Sequence, residues 1–340
     1  MDILIGNNTM NTKICLPLEA APEVASVKYR IASIERLRII SIYAVVSFHT
    51  HAWFPHSLCF VGLIILLLCS CAFVVNKPET YGLGDLAKRK AQRLLVPWLF
   101  WSVVYGGLGL AKMIIKNVSF SDVFSAKMLL TGTRIHLWFL PFVFVAAIFL
   151  GFVHRRIVRL TERFVIIPGI LIGALAVLAC SMIQSYVMLW TPLVQWALGL
   201  PAIPLGFALG RTMLVQDSRH RRDFYLLATL STATVAVASV VFAWLDHGAY
   251  LKFGIIYATR YFVAVAIVCS GLYWQGHLDT ISRKLASLSY GIYLIHPLIL
   301  IPFYQFGIGI QHPLVLLFVV LFISSLVTFI LKKTSFRRFV

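Results

Sequence analysis

Ten long apolar runs, separated by short charged stretches, restrict this chain to a fold that crosses a membrane. A helix needs about 20 predominantly apolar residues to span a hydrocarbon layer of about 30 Å. Only 12% of the residues are charged, roughly half the usual share in a soluble protein. We therefore predict an all-α, polytopic helical bundle with about ten transmembrane helices. The runs are 39–55, 57–75, 94–115, 136–153, 164–182, 187–210, 224–244, 255–275, 289–308 and 312–331.

The run at 187–210 contains three prolines, Pro192, Pro201 and Pro204. Proline removes a backbone donor and its ring clashes with the preceding turn, so this run is predicted to be a kinked or broken helix.

The lysines and arginines predict the orientation of the spans. If the N-terminus lies inside, 24 of the 30 Lys and Arg residues fall in one compartment. Cytoplasmic loops are the ones enriched in these residues, so both termini are predicted to be cytoplasmic. The net charge of +18 follows from this bias and favours contact with anionic membrane lipids. A nucleic-acid partner is not expected, because no soluble basic domain is present.

Three segments make up the predicted domain organisation: a cytoplasmic tail at 1–34, a membrane domain at 35–334 and a short cytoplasmic tail at 335–340. The first of these is polar and lacks the apolar core of a signal peptide. The six cysteines show no zinc-site spacing, and no P-loop or dinucleotide fingerprint occurs. We therefore expect no metal and no tightly bound cofactor.

Arg38 and His49 are eleven residues apart on the helix predicted for the first run, and they share one face of it. At about 1.5 Å per residue they lie about 16 Å apart, with Arg38 at a membrane boundary and His49 somewhat beyond the midplane. His51 lies nearly on the opposite face. The pair indicates either a functional path through the bundle, or an arginine that snorkels and a histidine that bonds to a neighbouring helix.

The ninth run carries a polar stripe, because Ser289, Tyr293 and His296 follow i, i+4, i+7 spacing. Pro297 leaves the carbonyl of Tyr293 without its helical donor. None of the 12 Asp and Glu residues lies in mid-membrane, where ion-coupled carriers commonly bind their ion. Histidines occupy such positions instead, and a neutral imidazole suits acid–base or acyl-transfer chemistry. Interhelical hydrogen bonding is an equally good account of the stripe.

A basic stretch, Lys88-Arg-Lys-Ala-Gln-Arg93, precedes the third run. Ordinary positive-inside anchoring accounts for most of it. The same density of Lys and Arg would also bind the phosphates of a nucleotide-containing donor such as coenzyme A. On the other side, His136 and Trp138 open the fourth run, where an aromatic belt accounts for the tryptophan.

Four segments, in order, resemble the acyltransferase-3 family of integral membrane acyltransferases, which decorate extracytoplasmic sugars. They are Glu35-Arg-Leu-Arg38 through Phe48-His49, Lys88 through Pro97, His136-Leu-Trp-Phe-Leu140, and Ser289 through Pro297. The family usually has Asp-Gly-Leu-Arg at the first of these. Glu35 keeps that carboxylate on a side chain one methylene longer, and Arg36 replaces the glycine.

The resemblance implies roles for the residues of these segments. His49 would be the central catalytic residue, with Arg38 and Glu35 as its partners on the same helix. The donor would be acyl-coenzyme A, a co-substrate bound from the cytoplasm by Lys88, Arg89 and Arg93. The residues expected to line the cavity and position the acceptor are His136, Trp138, Tyr290, Tyr293 and His296.

The favoured hypothesis is an O-acyltransferase of the bacterial inner membrane. It would transfer acetyl or succinyl to a hydroxyl of a surface glycan or its lipid-linked precursor, and polysaccharide-assembly proteins would be its partners. His49 would act as general base or as transient acyl carrier, two roles that the sequence leaves open. The alternative is a transporter or flippase for the same glycan, which would gain from an acidic residue at mid-depth or an inverted repeat. A membrane acyltransferase of unrelated fold is a weaker third option.

Overall fold

Helices make up nearly all of the structure, and no strand occurs in the part of the chain that it describes. The computed structural model describes residues 22–52, 59–75, 82–117, 119–120, 124–157, 159–245, 251–274, 280–307 and 312–340. The main helices are α1 (Pro22–Thr50), α2 (Val61–Val75), α3 (Leu83–Lys90), α4 (Val96–Lys116), α5 (Phe139–Ile157), α6 (Glu162–Tyr186), α7 (Leu193–Gly199), α8 (Ala202–Thr212), α9 (Ser218–Leu245), α10 (Leu251–Tyr273), α11 (Thr280–Gln305) and α12 (Pro313–Lys332).

Short segments complete the chain trace. A π-helical turn, Ala91–Leu95, joins α3 to α4 without a break. A one-turn helix, Met128–Thr131, precedes a 3-10 turn, Ile135–Trp138, that leads into α5. A second 3-10 turn, Ser335–Phe339, follows α12.

Eight helical segments among the described residues are long and apolar enough to cross a membrane. The predicted all-helical class is therefore confirmed. The first two predicted spans fall instead on α1, which carries Glu35, Arg36 and Arg38, and on α2, which has only 15 residues. The count of ten spans and the cytoplasmic position of both termini stay predictions. Helix α1 begins at Pro22, inside the predicted tail 1–34, whose residues 1–21 lie outside the described ranges.

The broken helix predicted at 187–210 is confirmed. The run forms α7 and α8, which are separated at Leu200 and Pro201. A proline in this position lacks the N–H that would continue the α7 ladder, so the chain ends one helix and starts another.

Helix α2 lies at the centre of the bundle, which its composition explains. It is apolar on all sides, and Ile64, Leu67 and Leu68 are completely buried. Helix α8 approaches it closely because Gly206 has no side chain: an added Cβ would lie 2.5 Å from Cβ of Cys71. Small residues allow this kind of close packing between membrane helices. Helix α1 packs against α2, α10, α11 and α12, and its His49 side chain is half-buried.

Candidate active site

Three histidines from distant parts of the chain meet inside the bundle. His49 lies in the last turn of α1, His296 in α11 and His136 in the 3-10 turn before α5. The ring centroids of His49 and His296 are 5.2 Å apart, and those of His136 and His296 are 6.1 Å apart. The structure thus brings together the three histidines that the sequence singled out.

The hydrogen bonding of His296 defines which of its nitrogens can accept a proton. The ring is completely buried, and its Nδ1 lies 3.1 Å from the carbonyl oxygen of Ile292. A carbonyl only accepts, so Nδ1 must carry the hydrogen of this bond. In the neutral ring the lone pair is then on Nε2, which has no hydrogen-bond partner among the described residues. Ile292 directly precedes Tyr293, whose own carbonyl lacks its helical donor because Pro297 has no N–H.

Two buried tyrosines fix the segment that carries His136. The hydroxyl of Tyr293 donates to the backbone carbonyl of His136. The hydroxyl of Tyr105, on α4, donates to the carbonyl of Leu294 at 2.7 Å, and its ring makes an edge contact with the His136 ring at 5.0 Å. The first bond ties α11 to the 3-10 turn, and the second ties α4 to α11.

A third tyrosine, Tyr304, holds the end of α1. Its hydroxyl donates to the backbone carbonyl of His49. The sequence analysis missed both Tyr304 and Tyr105. A signal existed for Tyr304, because it is eleven residues after Tyr293 and so shares its helix face. Tyr105 stands alone in an apolar run, and only its tertiary contacts reveal it.

The turn that carries His136 depends on a glycine with a left-handed backbone. Gly132 has φ +73°, a conformation that side chains rarely allow. A Cβ at this position would lie 2.8 Å from Oγ of Ser102. Next to it, the hydroxyl of Thr133 donates to the carbonyl of Ser102 at 2.6 Å. The loop is thereby anchored to α4 just before the histidine.

Arg38 and Glu35 form an ion pair at the other end of the α1 face that bears His49. Nη1 of Arg38 lies 3.2 Å from Oε1 of Glu35, and the two side chains are 30% and 24% exposed. Spacing of three residues on one helix allows this pairing. Eleven residues of helix separate Arg38 from His49, a distance of about 16 Å. The other histidine of this region, His51, is exposed and lies just beyond α1.

The basic stretch lies on the surface. Lys88, Arg89 and Arg93 are exposed, the first two on α3 and the third on the π-helical turn. The hydroxyl of Tyr290 donates to the backbone carbonyl of Arg93 at 3.2 Å, which ties α11 to this turn.

The eleven predicted site residues therefore form distinct groups. His49, His136, Tyr293 and His296 come together, and Arg38 pairs with Glu35. Tyr290 instead contacts the basic stretch. Trp138 is buried, with its ring 5.5 Å from that of Phe142. The catalytic and binding roles of all these residues stay predictions. No three His, Cys, Asp or Glu side chains in the described ranges are placed to hold a metal ion.

One comparison with known proteins gives a match. A family model described as an acyltransferase domain, that of the acyltransferase-3 family, matches residues 31–333. This range contains all four segments that carry the resemblance and every predicted site residue. No curated protein and no solved structure shows a significant match to the chain.

Proposed function

Because the chain belongs to the acyltransferase-3 family, we propose that it is a membrane O-acyltransferase that uses cytoplasmic acyl-coenzyme A. It transfers a short acyl group, acetyl or succinyl, to a hydroxyl of an extracytoplasmic glycan or its lipid-linked precursor. In this proposal the protein lies in the bacterial inner membrane with both termini in the cytoplasm. The eight long apolar helices among the described residues support the membrane location. Acyl-coenzyme A is a co-substrate, and no tightly bound cofactor is needed.

The observation that carries the proposal is the cluster of His49, His136 and His296, whose α1 member shares a helix face with Arg38 about 16 Å away. A cation at one end and an imidazole deep in the bundle are expensive in a membrane, which favours a functional path. The phosphates of the donor would bind near Arg38, Lys88, Arg89 and Arg93, all of which are at least partly exposed. Its extended pantetheine arm would then carry the thioester towards His49.

Two reaction sequences fit this arrangement. In the first, His49 accepts the proton of the acceptor hydroxyl while the oxygen attacks the thioester carbonyl; the C–S bond breaks, and the released thiolate takes up the proton. In the second, a nitrogen of His49 attacks the thioester and releases coenzyme A, and the hydroxyl then attacks the acyl-imidazole. In both, the lone pair on Nε2 of His296 would accept a hydrogen bond from His49 or from the acceptor. The remaining cavity residues would position the acceptor.

The test compares surface glycan from a knockout strain complemented with wild type, H49A or H51N. His51 is a matched control, because it is two residues from His49 but exposed. Asparagine is chosen for it because this residue tolerates the left-handed backbone, φ 51°, at this position. Mass spectrometry should find ester-linked acyl groups restored by wild type and H51N, and absent with H49A at equal membrane abundance.

Two results would contradict the proposal. Full acylation by H49A would remove His49 from the reaction. Full acylation in the knockout itself, with less glycan exported, would point to a transporter or flippase, which moves glycan without making bonds.

A further inference from the structure

An arginine inside the bundle has no role in the reaction described above. Arg260 lies near the middle of α10 and is half-buried. Its guanidinium carbon lies 4.8 Å from the centroid of the Phe60 ring, in a cation–π contact. An ionisable side chain within a membrane helix is expensive to retain, so its position calls for a functional explanation.

Contacts between α10 and α1 show how these two helices are aligned. The hydroxyl of Ser33 donates to the carbonyl of Trp274 at 3.2 Å. A Cβ added to Gly271 would lie 3.0 Å from Cδ2 of Leu37. From Ser33 to Leu37 the residue number on α1 rises, whereas that of the contacting residue falls from Trp274 to Gly271. The two helices therefore run antiparallel and in close contact.

This alignment gives the depth of Arg260. Phe48 lies eleven residues after Leu37 on α1, and Arg260 lies eleven residues before Gly271 on α10. Eleven residues is close to a whole number of helical turns, so each step stays on the same face. Arg260 therefore lies on the face of α10 that is turned towards α1, at the level of Phe48 and His49.

Aromatic rings connect this arginine to the histidine cluster. The Phe60 ring, against which Arg260 packs, makes an edge contact with the Phe48 ring at 5.1 Å. The Phe48 ring in turn lies 5.2 Å from the imidazole of His49. The cation thus packs on one apolar ring, Phe60, and is linked to His49 through the Phe48 ring, in apolar surroundings that strengthen electrostatic attraction.

We propose that Arg260 and Phe60 form an anion subsite, which binds a carboxylate or phosphate carried by the substrate at His49. The inference rests on the proposed function, since it takes His49 as the reaction centre. A guanidinium packed over a ring keeps its N–H groups in its own plane, which is the geometry that recognises carboxylate and phosphate. The subsite would select for a charged reactant over a neutral one.

Two reactants can supply such an anion. A succinyl donor carries a carboxylate at the far end of its short chain, whereas an acetyl donor carries none. An acceptor glycan can carry a uronic acid or a phosphate. The chemistry that Arg260 recognises is the same in both cases, so the source is decided by varying each reactant separately.

The test uses the full chain in lipid nanodiscs, as wild type, R260Q, R260K and K112Q. Lys112 is an exposed cation on α4, so K112Q removes one positive charge elsewhere. Initial transfer rates are measured with acetyl- or succinyl-coenzyme A, each with a neutral sugar or a uronic acid as acceptor. Separately, calorimetry measures the Kd of succinate and of glucuronate for each variant.

We expect R260Q to lower the rate at least tenfold only for pairs that include the charged reactant. R260K should restore part of that loss, and K112Q should match wild type. A loss confined to succinyl-coenzyme A assigns the subsite to the donor, and a loss confined to the uronic acid assigns it to the acceptor. An equal loss with all four pairs, or no loss with any, would overturn the subsite.

The calorimetric measurement separates this inference from the proposed function. If wild type transfers no acyl group at all, the proposed function fails. The subsite is then supported by a Kd for succinate or glucuronate at least tenfold higher in R260Q than in wild type. It is overturned if the two proteins bind both anions equally.

Discussion

The two nitrogens of His296 have different surroundings, and this difference suits the residue to the role that we propose for it. Nδ1 donates to the Ile292 carbonyl, whereas Nε2 has no hydrogen-bond partner among the described residues. A buried polar atom without a partner is unfavourable by about 1–3 kcal/mol. A substrate hydroxyl or the His49 ring that donates to Nε2 would recover that energy, and it would be oriented by the bond.

Replacement of His296 tests this role. We expect H296L to lower kcat by about 10–100-fold, because it removes the nitrogen that accepts a hydrogen bond from His49 or from the acceptor. H296Q should retain more activity, since its amide can still accept a hydrogen bond. Transfer rates of the purified proteins measure the effect, with thermal unfolding as the control for folding. Wild-type kcat in H296L would show that Nε2 takes no part.

Spacing along one helix was enough to find some of these residues. Arg38 and His49 share a face of α1, and Tyr293 and His296 form a stripe on α11, so periodicity alone singled them out. Arg260 stands alone among apolar residues, and its significance depends on how α10 aligns with α1. Such contacts between helices distant in sequence cannot be read from the order of residues.

The 3-10 turn Ile135–Trp138 is the element on which the position of His136 depends. Three features hold the turn. The hydroxyl of Tyr293 donates a hydrogen bond to the His136 carbonyl, and the Tyr105 ring packs against the His136 ring. Gly132 permits the bend that precedes the turn. The sequence predicted an important histidine here but not the turn, because the contacts that hold the turn come from α4 and α11, which are distant from it in sequence.

A methyl group at this glycine should disturb the turn. We expect G132A to destabilise the protein by about 1–3 kcal/mol, because alanine is strained at φ +73° and its Cβ would collide with Ser102. G107A is the matched control, since a Cβ at Gly107 meets nothing within 4 Å. Thermal unfolding in detergent measures both. Equal melting temperatures for G132A and wild type would contradict the anchoring of this turn.

At the scale of the whole molecule, charge and packing act together. Apolar runs and basic loops predicted the helical class and an orientation, because the membrane imposes both from composition. Details such as the docking of the 3-10 turn Ser335–Phe339 on α4 were not predicted. There the indole of Trp101 donates to the carbonyl of Phe339 at 2.9 Å, and the Phe100 and Phe339 rings stack at 4.2 Å.

Reporter fusions test the predicted orientation. Alkaline phosphatase fused after Val340 should be inactive, because the C-terminus is predicted to be cytoplasmic. The same reporter fused after Leu245, at the end of α9, should be active outside. Fusions of a fluorescent protein, which folds in the cytoplasm, serve as the reciprocal control. The opposite pattern would reverse the orientation and, with it, the side from which the donor enters.

Transfer across a sealed membrane is the measurement that tests the central claim most directly. Wild type and H49A are reconstituted into proteoliposomes with the predicted cytoplasmic face outward, acceptor glycan inside and acyl-labelled coenzyme A outside. We predict label on the enclosed glycan with wild type and background label with H49A. Equal labelling by the two proteins, or no labelling by either, would contradict the account of His49 as the centre of a transmembrane acyl transfer.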